Sequence, residues 1–195
     1  MPHTIILASQ SPRRRQLLAD AGYDFVVVPP NESAECGIYE NEPPARMVTR
    51  LARQKAADVV TRVENGIVLG CDTVVECCGQ ILGKPYDAAH ARQMLQLLRG
   101  GNHRVFSGLC LWEAGASRHA VEAAVTELAM AHLTDTRIED YLAGGQWEDK
   151  AGAFGYQDGH DWLRILEGSE SNVVGLPLEL LERMLSNFAL TAKGS

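Results

Sequence analysis

Short apolar runs of strand character alternate with stretches of helical periodicity along most of this chain, which restricts it to folds that layer helices on a sheet. Ile5-Ile6-Leu7-Ala8 is the first strand candidate. Ser11 then offers a hydroxyl N-cap and Pro12 the first helical position, so a helix is predicted to about Ala21, stopped at Gly22. Phe25 to Val28 reads as a strand, Glu32 to Pro43 as an acidic loop, and Pro44 to about Val60 as a helix with Met47, Val48, Leu51, Ala52, Ala56 and Val59 on one face. Ile67 to Cys71 is a buried strand that Thr73 to Cys77 continues toward a turn near Gly79-Gln80. Helices over Ala88 to Leu98, Thr136 to Leu142 and Pro177 to about Phe188 follow, as do a strand over Trp162 to Leu166 and two long strands, His103 to Trp112 and His119 to Ala131, joined near Gly115. One long hairpin among alternating elements predicts an α/β fold built on a mixed sheet, not a strictly parallel doubly wound one.

A length of 195 residues, 46% hydrophobic and 22% charged, fits one domain or two small intimate lobes. The expected boundaries are 1–190 for a single domain of two lobes and 191–195 for a C-terminal tail. The net charge of −7 argues against coating a nucleic-acid polymer, yet a small anionic ligand needs only a few placed cations. No segment approaches the roughly 20 apolar residues of a spanning helix, and Met1-Pro2-His3 has no signal-peptide character, so no membrane is expected. Five cysteines without a C-x-x-C pair fit neither a disulfide framework nor a zinc knuckle, and point to reduced thiols in a cytoplasm.

Five places carry chemistry. In Ser9-Gln10-Ser11-Pro12-Arg13-Arg14 a strand ends, a helix begins, and free N–H groups with an arginine fork suit a phosphate; a plain N-cap with solvated arginines is the alternative. Lys55 lies on the apolar stripe of its helix, where it snorkels, pairs with a carboxylate, or reaches an anion in a cleft. Asp72 interrupts an apolar run and is expected at a strand end or bend, as a metal ligand or general base. Lys84, in Gly83-Lys84-Pro85, adds a second point charge. In Asp149-Lys150-Ala151-Gly152-Ala153-Phe154-Gly155-Tyr156-Gln157, small residues admit a ligand close to the backbone, Lys150 supplies charge, and the Gln157 amide suits a base edge. The scattered cations with Asp72 and the acidic loop fit a triphosphate and a magnesium-type metal. Truncating Lys55 or Lys84 is expected to cost turnover more than stability.

These segments, with Asn172-Val173-Val174-Gly175-Leu176-Pro177-Leu178, occur in an order that resembles a Maf-family nucleoside triphosphate pyrophosphatase from about Ile5 to Leu185. The resemblance implies a two-lobed α/β fold related to the inosine triphosphatases, with a central nucleotide cleft, and hydrolysis of a nucleoside triphosphate to the monophosphate and pyrophosphate. It implies Asp72 as proton acceptor; read with the residues themselves, Asp72 also faces the metal, and Lys55 and Lys84 join it in catalysis. The family's specificity positions fall on Arg13, Thr73 and Gln157, with Ser9, Ser11 and Lys150 as further substrate-binding candidates from the residues themselves, and a divalent cation (Mg, Mn or Co) is the expected cofactor. Asp72-Thr73 and Gln157 look like the dTTP/UTP branch. The alternatives are 7-methyl-GTP or another modified nucleotide, and a non-catalytic nucleotide sensor in septum formation. The chain departs from the family in its acidic loop, Pro30-Asn31-Glu32-Ser33-Ala34-Glu35, where Glu35 matches the family's metal ligand after a one-residue shift and Glu32 is the alternative. Trp147 also replaces a common proline. The partner expected is the nucleotide itself, with a homodimer as an open state of assembly.

Overall fold

A computed structural model describes residues 4–34, 39 and 41–191. Seven strands form one mixed sheet: β1 (Ile5–Ala8), β2 (Phe25–Val27), β3 (Ile67–Cys77), β4 (Gln80–Leu82), β5 (Asn102–Glu113), β6 (His119–Met130) and β7 (Leu163–Glu167). Their order is β2-β1-β3-β5-β6-β7, with β4 also on β3. β1 runs parallel to both β2 and β3, and every other pairing is antiparallel. Among the described residues the α-helices are α1 (Pro12–Asp20), α2 (Pro44–Val60), α3 (Ala88–Leu98), α4 (Asp135–Ala143), α5 (Glu170–Val174) and α6 (Leu178–Thr191).

Side-chain alternation covers both faces of the parallel part of the sheet. Ile5, Leu7, Ile67 and Leu69 point to a cluster with Leu18 of α1 and Leu181 and Met184 of α6. Ile6, Ala8, Val68 and Cys110 point the other way, onto Ala52, Ala56 and Val59 of α2. Toward the far end of the long strands, Val75, Val105, Leu128 and Met130 pack with α3, α4 and Trp162. α2 lies close on the sheet because two glycines make room for it: a Cβ at Gly70 would overlap the carbonyl oxygen of Ala52, and one at Gly108 that of Val48.

Several local expectations shift. Asp72 stands in the middle of an unbroken eleven-residue strand, not at a strand end or bend. Asp72 pairs with Gly108 of β5 on one side, and an acidic side chain does not interrupt a ladder made by the backbone. The β3–β4 turn is Cys78-Gly79, both at positive φ (52° and 79°), one residue earlier than expected. Thr191, expected in the tail, closes α6. The motif Asn172-Val173-Val174 lies in a short helix capped by Ser169, whose hydroxyl accepts from the Asn172 N–H. Among the described residues no helix is long and apolar enough to cross a membrane.

Candidate active site

The site begins at a gap in the sheet. β1 pairs with β3 only as far as Ala8 opposite Gly70, and β4 takes up the same edge only from Val75. Between them Cys71 to Val74 have no strand on that side among the described residues, and the chain leaves β1 into α1 at this point. A crevice at the carboxyl end of a parallel strand, where neighbouring connections part, is where open α/β sheets bind ligands. Here it widens into a cleft of about 780 Å3.

Arg14 occupies the edge of the gap. Its guanidinium donates to the Cys71 carbonyl (2.9 Å), to Ser9 Oγ (3.1 Å), to Thr73 Oγ1 (3.1 Å) and, through Nε, to the Gly175 carbonyl (2.8 Å). One planar fork thus stands in for the missing strand and joins the end of β1, the middle of β3 and the turn after α5. Thr73 Oγ1 continues the network to Ser107 Oγ at 2.9 Å. Sequence reasoning placed Arg14 in the motif but gave the functional role to Arg13. Both arginines sit in the first turn of α1, and only the docking of that helix decides which one faces the sheet.

On the α2 side of β3, Lys55 Nζ donates to Asp72 Oδ1 at 2.6 Å, and both side chains are buried. Of the three fates open to Lys55, the carboxylate pair is the one realised. The close approach permitted by Gly70 brings it within reach. Asp72, Lys55 and Glu32 all line the cleft. Glu35 lies outside the described residues.

The remaining expected residues line the same space. Ser9, Ser11 and Arg13 come from the β1–α1 connection, where Ser11 caps the helix by accepting from the Arg14 N–H. Thr73 comes from β3, and Lys84 from the loop after β4. Lys150 and Gln157 come from the glycine-rich segment, which folds into two single turns, Ala151–Ala153 and Tyr156–Asp158. Arg13 reaches across to this segment and donates to the Asp149 carbonyl at 2.6 Å. Lys84 meets the Asp149 carboxylate at 3.3 Å, with both side chains largely exposed. Lys150 is differently placed: its ammonium is buried against the Asp158 carboxylate. Asp149 opens the glycine-rich motif without a role of its own in the sequence, and Asp158 lies one residue beyond it.

Arg13, Arg14, Lys55, Lys84 and Lys150 face Glu32, Asp72 and Asp149, so the lining is cationic within a chain of net charge −7. Burial, and then the neighbouring Arg14 charge, pull the Arg13 guanidinium below its ordinary pKa against the opposing pull of Asp149 and Asp158. An anion arriving there would repay that cost. Among the described residues no three His, Cys, Asp or Glu side chains gather around one point. Two hard carboxylates on an open cleft nevertheless suit a cation that takes its remaining ligands from phosphates and water.

A family model described as "Maf-like protein" matches residues 4–188. The chain is 53% identical over 193 residues, 98% of its length and 85% of the relative's, to a protein of Rhodopirellula baltica named dTTP/UTP pyrophosphatase. It is 41% identical over 192 residues, 97% of each chain, to one of the same name from Moorella thermoacetica. A third of that name, from Thermococcus onnurineus, is 42% identical over 92% of this chain and 95% of its own. Among solved structures, the Staphylococcus aureus Ham1 protein superposes with a TM-score of 0.52 at 11% identity, over 94% of this chain and 98% of that one. A HAM1 protein from Coxiella burnetii does so at 0.50 and 15%, over 96% and 100%. At such identity the two structures speak for the fold alone.

Proposed function

Because this chain belongs to the Maf-like family, we propose that it is a nucleoside triphosphate pyrophosphatase that hydrolyses dTTP and UTP to the monophosphate and pyrophosphate. The observation that carries the reading is the Lys55–Asp72 pair, set in the one stretch of β3 that neither β1 nor β4 covers, on the wall of a cationic cleft.

In this reading a water attacks the α-phosphorus. A bond forms from the water oxygen to that phosphorus, the bond to the bridging oxygen breaks, and pyrophosphate leaves with the electron pair. Asp72 takes the water's proton. Lys55 holds Oδ1 of Asp72 and so fixes the orientation of the carboxylate. Arg13 and Lys84 flank the cleft mouth and balance charge as it moves to the leaving group. Asp72 and Glu32 would hold a divalent cation (Mg, Mn or Co), and such an ion, when bound, supplies further neutralisation of the phosphates. Ser9 and Ser11 edge the phosphate side of the cleft, and Thr73 leaves room for a pyrimidine beside the strand. Gln157 offers one carbonyl and one amide, which match the N–H and a flanking carbonyl of uracil or thymine. The five cysteines and the nucleotide substrate suit a cytoplasmic setting.

The test is release of pyrophosphate from dTTP, UTP, dCTP, ATP and GTP with each of the three cations. We expect dTTP and UTP to lead in kcat/KM, and Gln157→Glu to erode that lead because a carboxylate repels the base carbonyls. Equal kcat/KM for all five nucleotides would remove the base assignment. No pyrophosphate from any of them would remove the enzymatic one.

A further inference from the structure

Lys150 and Asp158 close the two ends of the strap that carries Gln157. Their side chains are 11% and 13% exposed, and they meet as a direct ion pair. The strap folds tightly over them: a Cβ on Gly155 would overlap both the Asp158 carboxylate and the Lys150 ammonium. Its backbone is also unusual. Gly152 and Ala153 are both left-handed, at φ 70° and 63°, and Ala153 tolerates this only where its surroundings hold it. The Gly152 N–H donates to the Gly83 carbonyl at 3.0 Å, which ties the strap to the loop of Lys84. Behind it, Tyr141 packs edge-on against His160 and Trp162.

Gln157 itself is exposed in the cleft, and among the described residues no hydrogen bond holds its amide. Asp158 follows it immediately, inside the same single turn. Anchoring Asp158 therefore fixes the backbone from which the amide projects. Reading a base by two hydrogen bonds demands placement to within about 0.5 Å, which a free surface loop does not offer.

We propose that the Lys150–Asp158 pair is a clamp that sets the base-reading strap, which makes Asp158 a specificity-determining positioning residue of this chain. The proposal rests on the dTTP/UTP reading above. It assigns the Lys150 charge to Asp158, and the phosphates to Arg13 and Lys84. Loosening the clamp then penalises pyrimidine triphosphates, whose N–H and carbonyls need the amide in place, and spares ATP, which gains little from it.

The experiment combines kinetics with a double-mutant cycle on the full chain. In Asp158→Asn, kcat/KM for dTTP should fall on the order of tenfold while that for ATP changes by less than about twofold, so the dTTP-to-ATP ratio collapses. Asp158→Glu, which keeps the charge, should recover part of that ratio. Lys150→Met should move the ratio in the same direction. Without ligand, Lys150→Met and Asp158→Asn should each lower Tm by on the order of 5–10 °C, and the double variant by less than their sum, because each single change strands a buried partner. An unchanged ratio in Asp158→Asn overturns the proposal. So does a loss in Lys150→Met that is equal for all nucleotides, as a lost phosphate contact would give, or strict additivity of the Tm changes. The thermal cycle needs no turnover, so a chain that releases no pyrophosphate would defeat the enzymatic reading while the cycle still decides whether the clamp exists.

Discussion

At the scale of single residues, burial separates two lysines that look alike in the sequence. Lys84 is largely exposed and meets Asp149 at 3.3 Å, whereas Lys55 is buried on Asp72 at 2.6 Å. An exposed pair contributes little to stability, but removing one member of a buried pair leaves an uncompensated charge at a cost of about 3–5 kcal/mol. Lys84→Ala is therefore expected to raise KM for dTTP with Tm unchanged. Lys55→Ala is expected to lose both turnover and several degrees of Tm. Calorimetry alongside pyrophosphate assays checks the contrast, and equal Tm values for the two variants would refute it. Asp72→Asn keeps the side-chain shape but removes the base. It should cost on the order of 100-fold or more in kcat, together with a lowered Tm from the stranded Lys55. Near-normal kcat in this variant would remove Asp72 from the chemistry.

At the scale of elements, the site depends on how closely α2 lies on β3 and β5. The helix carries Lys55, the strand carries Asp72, and their contact exists because Gly70 and Gly108 present no side chain to the helix backbone. A methyl group at Gly70 has no flexible neighbour to displace, since it meets the carbonyl oxygen of Ala52 and the backbone of Ala56. Gly70→Ala should destabilise by about 1–3 kcal/mol through overpacking, and its kcat should fall further than the unfolded fraction explains, because the Lys55–Asp72 distance must open. Kinetics well below the melting transition distinguish the two effects. Full activity there would show that the close crossing serves packing alone. The gap between β1 and β4 belongs to this scale too: Asp72 is reachable from mid-strand because its edge neighbours stop at Gly70 and resume at Val75.

At the scale of the whole molecule, a buried histidine packs against the apolar cluster beneath the strap. His103, 2% exposed on β5, packs edge-on against Phe154, which lines the cleft. Burial holds its imidazole neutral and pulls its pKa down from 6.5 to about 4. The unfolded chain takes up this proton near pH 6.5 and the folded chain only near 4. The associated stability is thus complete above pH 6.5 and drains away as the pH falls through that window. Between pH 6.5 and 5.0, where most carboxylates stay ionised, the loss from this group should be about 1.5 kcal/mol. Urea titrations at the two pH values should show it, and His103→Gln should remove most of the difference. An unaltered pH dependence in that variant would assign the effect elsewhere.

The order of elements, the helix caps and the apolar faces follow from the sequence itself, because periodicity and capping are local and one strand or helix contains all the information they need. Ser11-Pro12 starts α1, and the stripe from Met47 to Val59 is the buried face of α2. The family motifs likewise singled out Asp72, Arg13 and Gln157, and the apolar stripe of its helix singled out Lys55, before any of them had a position. Tertiary structure alone decided which charges pair. Lys55 and Asp72 are 17 residues apart, Arg14 and Gly175 are 161 apart, and nothing local states that an arginine will fill a missing strand position. It also decided that Asp72 stands in the middle of a strand with one edge open, because the end of one neighbour and the start of another are properties of the assembled sheet. An ion pair or an open edge is a relation between distant segments, and its energy exists only once packing has brought them together.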